Sequence, residues 1–179
     1  PHKGFYAPTG LGVLIAEKGI KNIIISGGTG VNSLEPVQPE FMPERIESGT
    51  QNVPAIFGLK SGIDFVEKIG QKAIEKHEFS LIRYAYQKLE KLGAELYTIC
   101  PNSDCFTPVL SFNVKGFSSE EIANYLNKNN IAVRAGLHCA PLAHKQLKTL
   151  NRGAVRISPC VFNTKNDIDR LIFSLKRVI

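Results

Sequence analysis

From Asn52 onward the apolar residues recur at helical spacing, first as Ile56, Leu59, Ile63, Phe65 and Val66, then as Ile74, Phe79, Ile82, Tyr86 and Leu89. No other feature limits the fold as strongly. Two long helices are predicted, broken near Gly70, and Gly93 sits where glycine commonly stands just past a helix C-terminus. Lys and Arg at 68, 72, 76, 83, 88 and 91 alternate with Glu67, Glu75, Glu78, Glu90 and Glu95, the pattern of a solvated helix face. The net charge of +6 is therefore dispersed, which speaks against nucleic-acid binding.

On either side of the helical stretch the texture is shorter. Ahead of it lies a loop over 4–10 punctuated by glycine and proline. Apolar runs at 11–16 and 23–25 follow and read as buried strands. Gly27, Gly28, Thr29 and Gly30 read as a tight turn, without the Lys-Ser/Thr of a nucleotide loop, and a proline-bearing irregular stretch runs to Pro43. Beyond Gly93, strands are expected at 95–99 and 109–114, and a helix at 119–128 opened by a Ser118/Glu121 capping box. Short strands at 131–134 and 154–157 precede a last helix that opens near Thr164, with Asp167 three residues on. The expected organisation is α/β, divided into 1–92 and a small two-layer α+β domain over 93–179.

With 179 residues, 43% of them hydrophobic and 21% charged, the composition is that of a soluble globular chain. No apolar run approaches the ~18 to 20 residues of a membrane span. The cysteines at 100, 105, 139 and 160 form neither CxxC pairs nor a dense disulfide framework, so a reducing cytoplasm is expected. Cys100, Cys105 and Cys160 read as packed rather than metal-ligating, no metal is expected, and His77 and His144 read as surface residues. A start at Pro1 rather than Met is expected of a fragment or a processed piece.

The chemistry concentrates in Arg134-Ala-Gly-Leu-His-Cys139-Ala-Pro, where a thiol lies beside an imidazole and shortly after a guanidinium. Positive charge lowers a thiol pKa and glycine keeps the loop bendable, which is how a reactive cysteine is built; an ordinary packed cysteine fits the residues equally well. At the other end, Lys3 sits in His2-Lys3-Gly4 amid apolar and glycine sequence. A buried lysine there loses its proton readily and could bond an aldehyde cofactor, whereas an exposed loop lysine is the simpler reading. Gly49 and Thr50 precede the first helix and form either an anion site or a plain Thr50 N-cap. Arg156 is either a carboxylate clamp or a surface strand arginine.

Taken in order, His2-Lys3-Gly4, Gly27 to Gly30, Glu47-Ser-Gly-Thr-Gln-Asn52, Arg134 to Ala140 and Val155-Arg-Ile-Ser158 through Phe162-Asn-Thr164 resemble the C-terminal half of a cysteine desulfurase. That family falls in the class V aminotransferase group, and the cysteine loop resembles its type II branch, which includes the selenocysteine lyases. The resemblance implies the C-terminal part of a pyridoxal-phosphate fold type I transferase, the end of the large domain followed by the small one. It implies that Lys3 carries pyridoxal 5′-phosphate, that His2, Gly49 and Thr50 help hold it, the last two across a homodimer, and that Arg156, with Arg134, binds substrate. It further implies that Cys139 takes sulfur from L-cysteine or L-selenocysteine, leaving alanine, with His138 as proton relay and Arg134 and His138 supplying positive charge. A sulfur-acceptor protein and iron–sulfur cluster biogenesis follow from the same likeness.

Two other readings remain open: an aminotransferase or epimerase of the same group, which would need no Cys139, and a non-catalytic dimerisation or sulfur-carrier docking fragment. Pro1 stands where the family has a small residue before His-Lys. The family's ring-stacking residue and pyridine-pairing acid lie upstream of the lysine, so these residues alone are expected to bind the cofactor poorly and to turn over little.

Overall fold

In the computed structural model, which describes every residue except 24, 30, 31, 33, 99, 100 and 102–106, the two helical periods fold as α1 (Val53–Ile69) and α2 (Gln71–Leu92). Gly70 separates them at φ 90, a conformation that costs glycine little and other residues much. Gly93 ends α2 in the left-handed region, where its N–H and that of Ala94 close on the carbonyls of Glu90 and Leu89 at 3.0 and 3.1 Å.

The chain divides into two compact units, Pro1–Ile69 and Gly70–Ile179. This places the division one helix earlier than the expected boundary at 92, because the apolar face of α2 (Leu81, Ile82, Ala85, Leu89) is part of the second unit's core.

That second unit holds a three-stranded antiparallel sheet in the order β1-β2-β3: β1 (Glu95–Leu96), β2 (Leu110–Asn113) and β3 (Val155–Ile157). Leu110 faces Ile157 and Phe112 faces Val155, so these four share a side of the sheet and join the core. Covering that side are α2, α3 (Ser119–Lys128) and α5 (Lys165–Leu175), through Ile122, Leu126, Ile168, Leu171, Ile172 and Leu175. The capping boxes Ser118/Glu121 and Thr164/Asp167 form as expected. By alternation Ser111, Asn113 and Arg156 belong to the opposite side.

Three expectations need correction. Residues 11–16 form no strand, and Val13, Leu14 and Ile15 are exposed; Ile23 and Ile25 are exposed too, with Ile24 outside the described residues. A strand is stable only when neighbours take up its backbone hydrogen bonds, and none of the described residues of the first unit pairs with these runs. Of 131–134 only Arg134 pairs, in a single bridge to Arg156. A short helix, α4 (Pro141–Gln146), stands in a stretch to which no element was assigned. The end of the strand expected at 95–99, Gly30 of the tight turn, Cys100 and Cys105 fall outside the described residues.

Candidate active site

Backbone bonds at the base of the cysteine loop fix where it begins and ends. Arg134 N–H donates to Arg156 O at 3.1 Å and Arg156 N–H returns to Arg134 O at 2.7 Å. Further along, Ala154 N–H donates to Gly136 O at 3.1 Å and Gly136 N–H to Ser119 Oγ at 3.3 Å. This approach is possible because residue 153 is glycine: at φ 61, a Cβ there would lie 2.7 Å from both Gly136 Cα and Ser119 Oγ. Beneath the turn, the buried Asn113 amide donates to Gly153 O at 2.8 Å and to the Tyr97 hydroxyl at 3.2 Å. Tyr97 in turn donates to Glu95, which pairs with Arg152.

Cys139 occupies the tip of this loop with an exposed thiol. Both His138 and Cys139 are left-handed, at φ 53 and 59, a conformation that costs a non-glycine residue about 1–2 kcal/mol. His138 Nε2 lies 2.9 Å from Ala154 O. A carbonyl only accepts, so Nε2 carries the proton and Nδ1, which is buried and without a partner, keeps its lone pair. Burial foremost, and then the charges of Arg156, His144 and Arg134, push the His138 pKa below its ordinary value, against the pull of the Ala154 carbonyl. The imidazole is thus neutral at pH 7. The expectation that it supplies positive charge is corrected: that charge falls to Arg134, which is exposed, and Arg156, half-buried with its Nε unpartnered.

Directly after the thiol, Pro141 opens α4, a position where the missing N–H costs nothing. This helix carries His144 inward. His144, expected at the surface, is 5% exposed, with Nδ1 2.8 Å from Thr149 Oγ1 and its ring centroid 5.8 Å from that of His138. His77 is likewise only partly exposed, its Nε2 lying 2.9 Å from Asn163 O. Cys160 is half-buried and donates its thiol to Asn163 Oδ1 at 3.4 Å.

In the first unit, His2 and Lys3 sit on a turn closed by Phe5 N–H to Pro1 O at 3.2 Å and Tyr6 N–H to Lys3 O at 3.0 Å. Two glycines four residues apart on α1 let this segment lie against the helix: a Cβ at Gly62 would come within 1.8 Å of Phe5 O, and one at Gly58 within 2.5 Å of Pro8. Lys3 is exposed, which corrects the buried-lysine reading, and no described residue hydrogen-bonds or pairs with its ammonium. Gly49 is left-handed at φ 78, but its N–H donates to Gly28 O at 3.1 Å and is committed there. The helix cap falls to Asn52, whose Oδ1 accepts from Ala55 N–H at 3.2 Å, so Thr50 is not the cap and its exposed hydroxyl has no bond from a described residue.

Thus Arg134, His138, Cys139 and Arg156 come together in one unit, whereas His2, Lys3, Gly49 and Thr50 belong to the other. Asn113 and Thr149 support the cysteine loop and were not singled out from the sequence; His144, which supports it too, was read as a surface residue. A polar residue inside the apolar run 109–114 was the available signal for Asn113. For the first-unit turn the signal was the i, i+4 glycine pair on α1.

The family model described as aminotransferase class-V matches residues 1–171. A probable cysteine desulfurase of Pyrococcus abyssi is 35% identical over 184 residues, covering 99% of this chain and 45% of that protein. A cysteine desulfurase of Wigglesworthia glossinidia brevipalpis is 32% identical, over 99% of this chain and 43% of its own length. Among solved structures, the apo cysteine desulfurase of Thermococcus onnurineus NA1 superposes with a TM-score of 0.75 at 31% identity, over 87% of this chain and 38% of that one. The chain therefore spans less than half the length of these relatives, and its mixed α/β architecture is part of the pyridoxal-phosphate type I fold that they share.

Proposed function

Because the chain belongs to the aminotransferase class-V family, we propose that the protein is a pyridoxal-phosphate-dependent cysteine desulfurase. The observation that carries the reading is Cys139, a thiol exposed at the tip of a braced loop whose base is formed by two arginines. An aminotransferase or epimerase has no use for such a thiol.

The first unit's donor set suits a phosphate-bearing aldehyde. Lys3 offers a primary amine with no ion pair among the described residues, His2 is its neighbour, and the Thr50 hydroxyl is left over by the Asn52 cap. In this reading Lys3 holds the aldehyde carbon and His2 and Thr50 hold the phosphate, with the Gly49 turn presenting Thr50 from a second copy of the chain. When bound, pyridoxal phosphate supplies the electron sink that makes the substrate's carbon bonds labile. Lys3 Nζ, freed when the substrate amine takes its place on the aldehyde carbon, would take the proton from the substrate Cα. Arg156, with Arg134, pairs the substrate carboxylate, a task suited to a planar guanidinium. The Cys139 thiolate attacks the substrate sulfur: an S–S bond forms, the substrate Cβ–S bond breaks, and after protonation the carbon skeleton leaves as alanine. The sulfur stays on Cys139 as a persulfide and passes to an acceptor protein or a reducing thiol.

A homodimer belongs to the same reading and draws support from Val53, Ile56 and Phe57, which leave an apolar stripe of α1 exposed. No helix among the described residues is long and apolar enough to cross a membrane. A reactive thiol suits the reducing cytoplasm.

The test is to supply the full-length, cofactor-loaded protein with L-cysteine and a thiol reductant and to quantify products. Alanine and sulfide are expected in equal amounts, both lost in Lys3→Ala, with sulfide lost in Cys139→Ala. A Cys139→Ala protein that still releases sulfide from cysteine would overturn the assignment.

A further inference from the structure

Two consecutive non-glycine residues in the left-handed region, His138 and Cys139, do not hold that conformation unaided. Something must retain them: Ala140 N–H closes the turn on Leu137 O at 2.9 Å, and the one side-chain tie of the strained pair among the described residues runs from His138 Nε2 to Ala154 O at 2.9 Å. We propose that His138 is a positioning residue rather than a proton relay: its Nε2–H, bonded to the Ala154 carbonyl, anchors the left-handed turn that presents the Cys139 thiol.

The geometry on both sides of the ring supports this role. Ala154 is itself fixed, since its N–H donates to Gly136 O and it follows Gly153, whose carbonyl is held by the buried Asn113 amide. On the far side, the ring of His144 lies 5.8 Å away at 42° to His138, and His144 is pinned by Thr149 Oγ1. Thr149 closes the brace: its N–H donates to His144 O and its carbonyl accepts from Gly153 N–H, each at 2.8 Å. The imidazole is thus gripped between β3 and α4. A relay needs a nitrogen that both reaches substrate and exchanges its proton. Here Nε2 is spent on a carbonyl and Nδ1 is sealed from solvent. The depressed pKa, caused foremost by burial, fits a ring that stays neutral within the loop with its proton on Nε2.

The role of the anchor in turnover rests on the cysteine desulfurase reading; the anchor itself does not. In the full-length, cofactor-loaded protein, His138→Ala and His138→Gln separate the alternatives, since the glutamine amide reaches about as far as Nε2 and donates without titrating. Two readouts are taken: hydrogen exchange of peptides covering 134–156, and kcat and KM for sulfide release from L-cysteine. In His138→Ala, exchange at Gly136 and Ala154 is expected to rise about tenfold, in line with the loss of one hydrogen bond and release of the strained turn, with kcat falling by a similar factor and KM unchanged. In His138→Gln, both are expected to return to within about threefold of the wild type. A glutamine variant with wild-type exchange but the low kcat of the alanine variant would show that the ring's proton is needed, and would overturn the proposal. Wild-type exchange in His138→Ala would overturn it as well, by removing the anchor. If the wild type releases no sulfide, the desulfurase reading fails, and the exchange arm still decides whether His138 anchors the loop.

Discussion

Gly153 is the residue on which the geometry around Cys139 depends. Its left-handed backbone and missing Cβ let the turn before β3 touch Gly136, three residues ahead of the thiol. Gly153→Ala meets both objections at once, a strained φ and contact with backbone that cannot move aside. It is expected to destabilise the second unit by about 2 kcal/mol or more, read as a lower denaturant midpoint with an unchanged slope. His138 makes a second residue-level prediction. Its folded pKa lies below the unfolded value of about 6.5, so above that pH both states are neutral and the stability is fully present. As pH falls below about 6.5 the unfolded chain takes up a proton that the folded loop resists, and stability is lost. Unfolding midpoints at pH 7.5 and 5.5 should differ in the wild type and converge in His138→Gln; an equal drop in both would assign the effect elsewhere. The nearness of the thiol to an imidazole and a guanidinium was legible in the sequence, because Arg134, His138 and Cys139 are close along the chain. The protonation state of His138 was not, since it depends on Ala154 and Arg156, which only folding brings near.

Among the elements, those written with local signals were read correctly. α3 and α5 each begin with a capping box, an interaction between residues three apart that depends on nothing distant. Ser118→Ala is expected to cost about 1 kcal/mol, measured by chemical denaturation. Glu121 has its carboxyl pKa lowered by the Ser118 backbone and side chain, so that contribution is present at neutral pH and fades as pH falls through the carboxylate range. α4 carried no comparable signal: it is too short to show periodicity, and its N-cap, Ala140, has no side chain that could cap it. What holds α4 is the bond between His144 and Thr149. Thr149→Val keeps the shape but strands a buried imidazole nitrogen, and should cost about 1–2 kcal/mol. Faster exchange confined to the α4 amides by NMR is the expected signature; protection unchanged from wild type would show the bond to be dispensable.

At the scale of the whole chain, buried hydrophobic side chains are distributed very unevenly. Among the described residues the first unit contributes only Ala7 and Ala55, while the second contributes the cluster that runs through α2, β2, β3, α3 and α5. Ordering a backbone costs about 1–2 kcal/mol per residue and apolar burial is the main offset, so the two units differ greatly in independent stability. Limited proteolysis is expected to cut within 10–50 first and to leave a resistant piece spanning about 70–179, identified by mass. Simultaneous loss of both halves would contradict this.

The sequence by itself determined what is local: α1 and α2 with the break at Gly70, the capped starts of α3 and α5, the ordered motifs that mark the family, and the thiol among cations. Neighbours along the chain are enough for these, because helix periodicity, caps and adjacent charges act over a few residues. Only the tertiary structure decided that 11–16 lies exposed instead of pairing, that Lys3 is open to solvent, that His144 is buried, and that His138 Nε2 meets the Ala154 carbonyl. Strand pairing, burial and pKa are set by partners distant in sequence, and no local pattern specifies which partners a folded chain supplies.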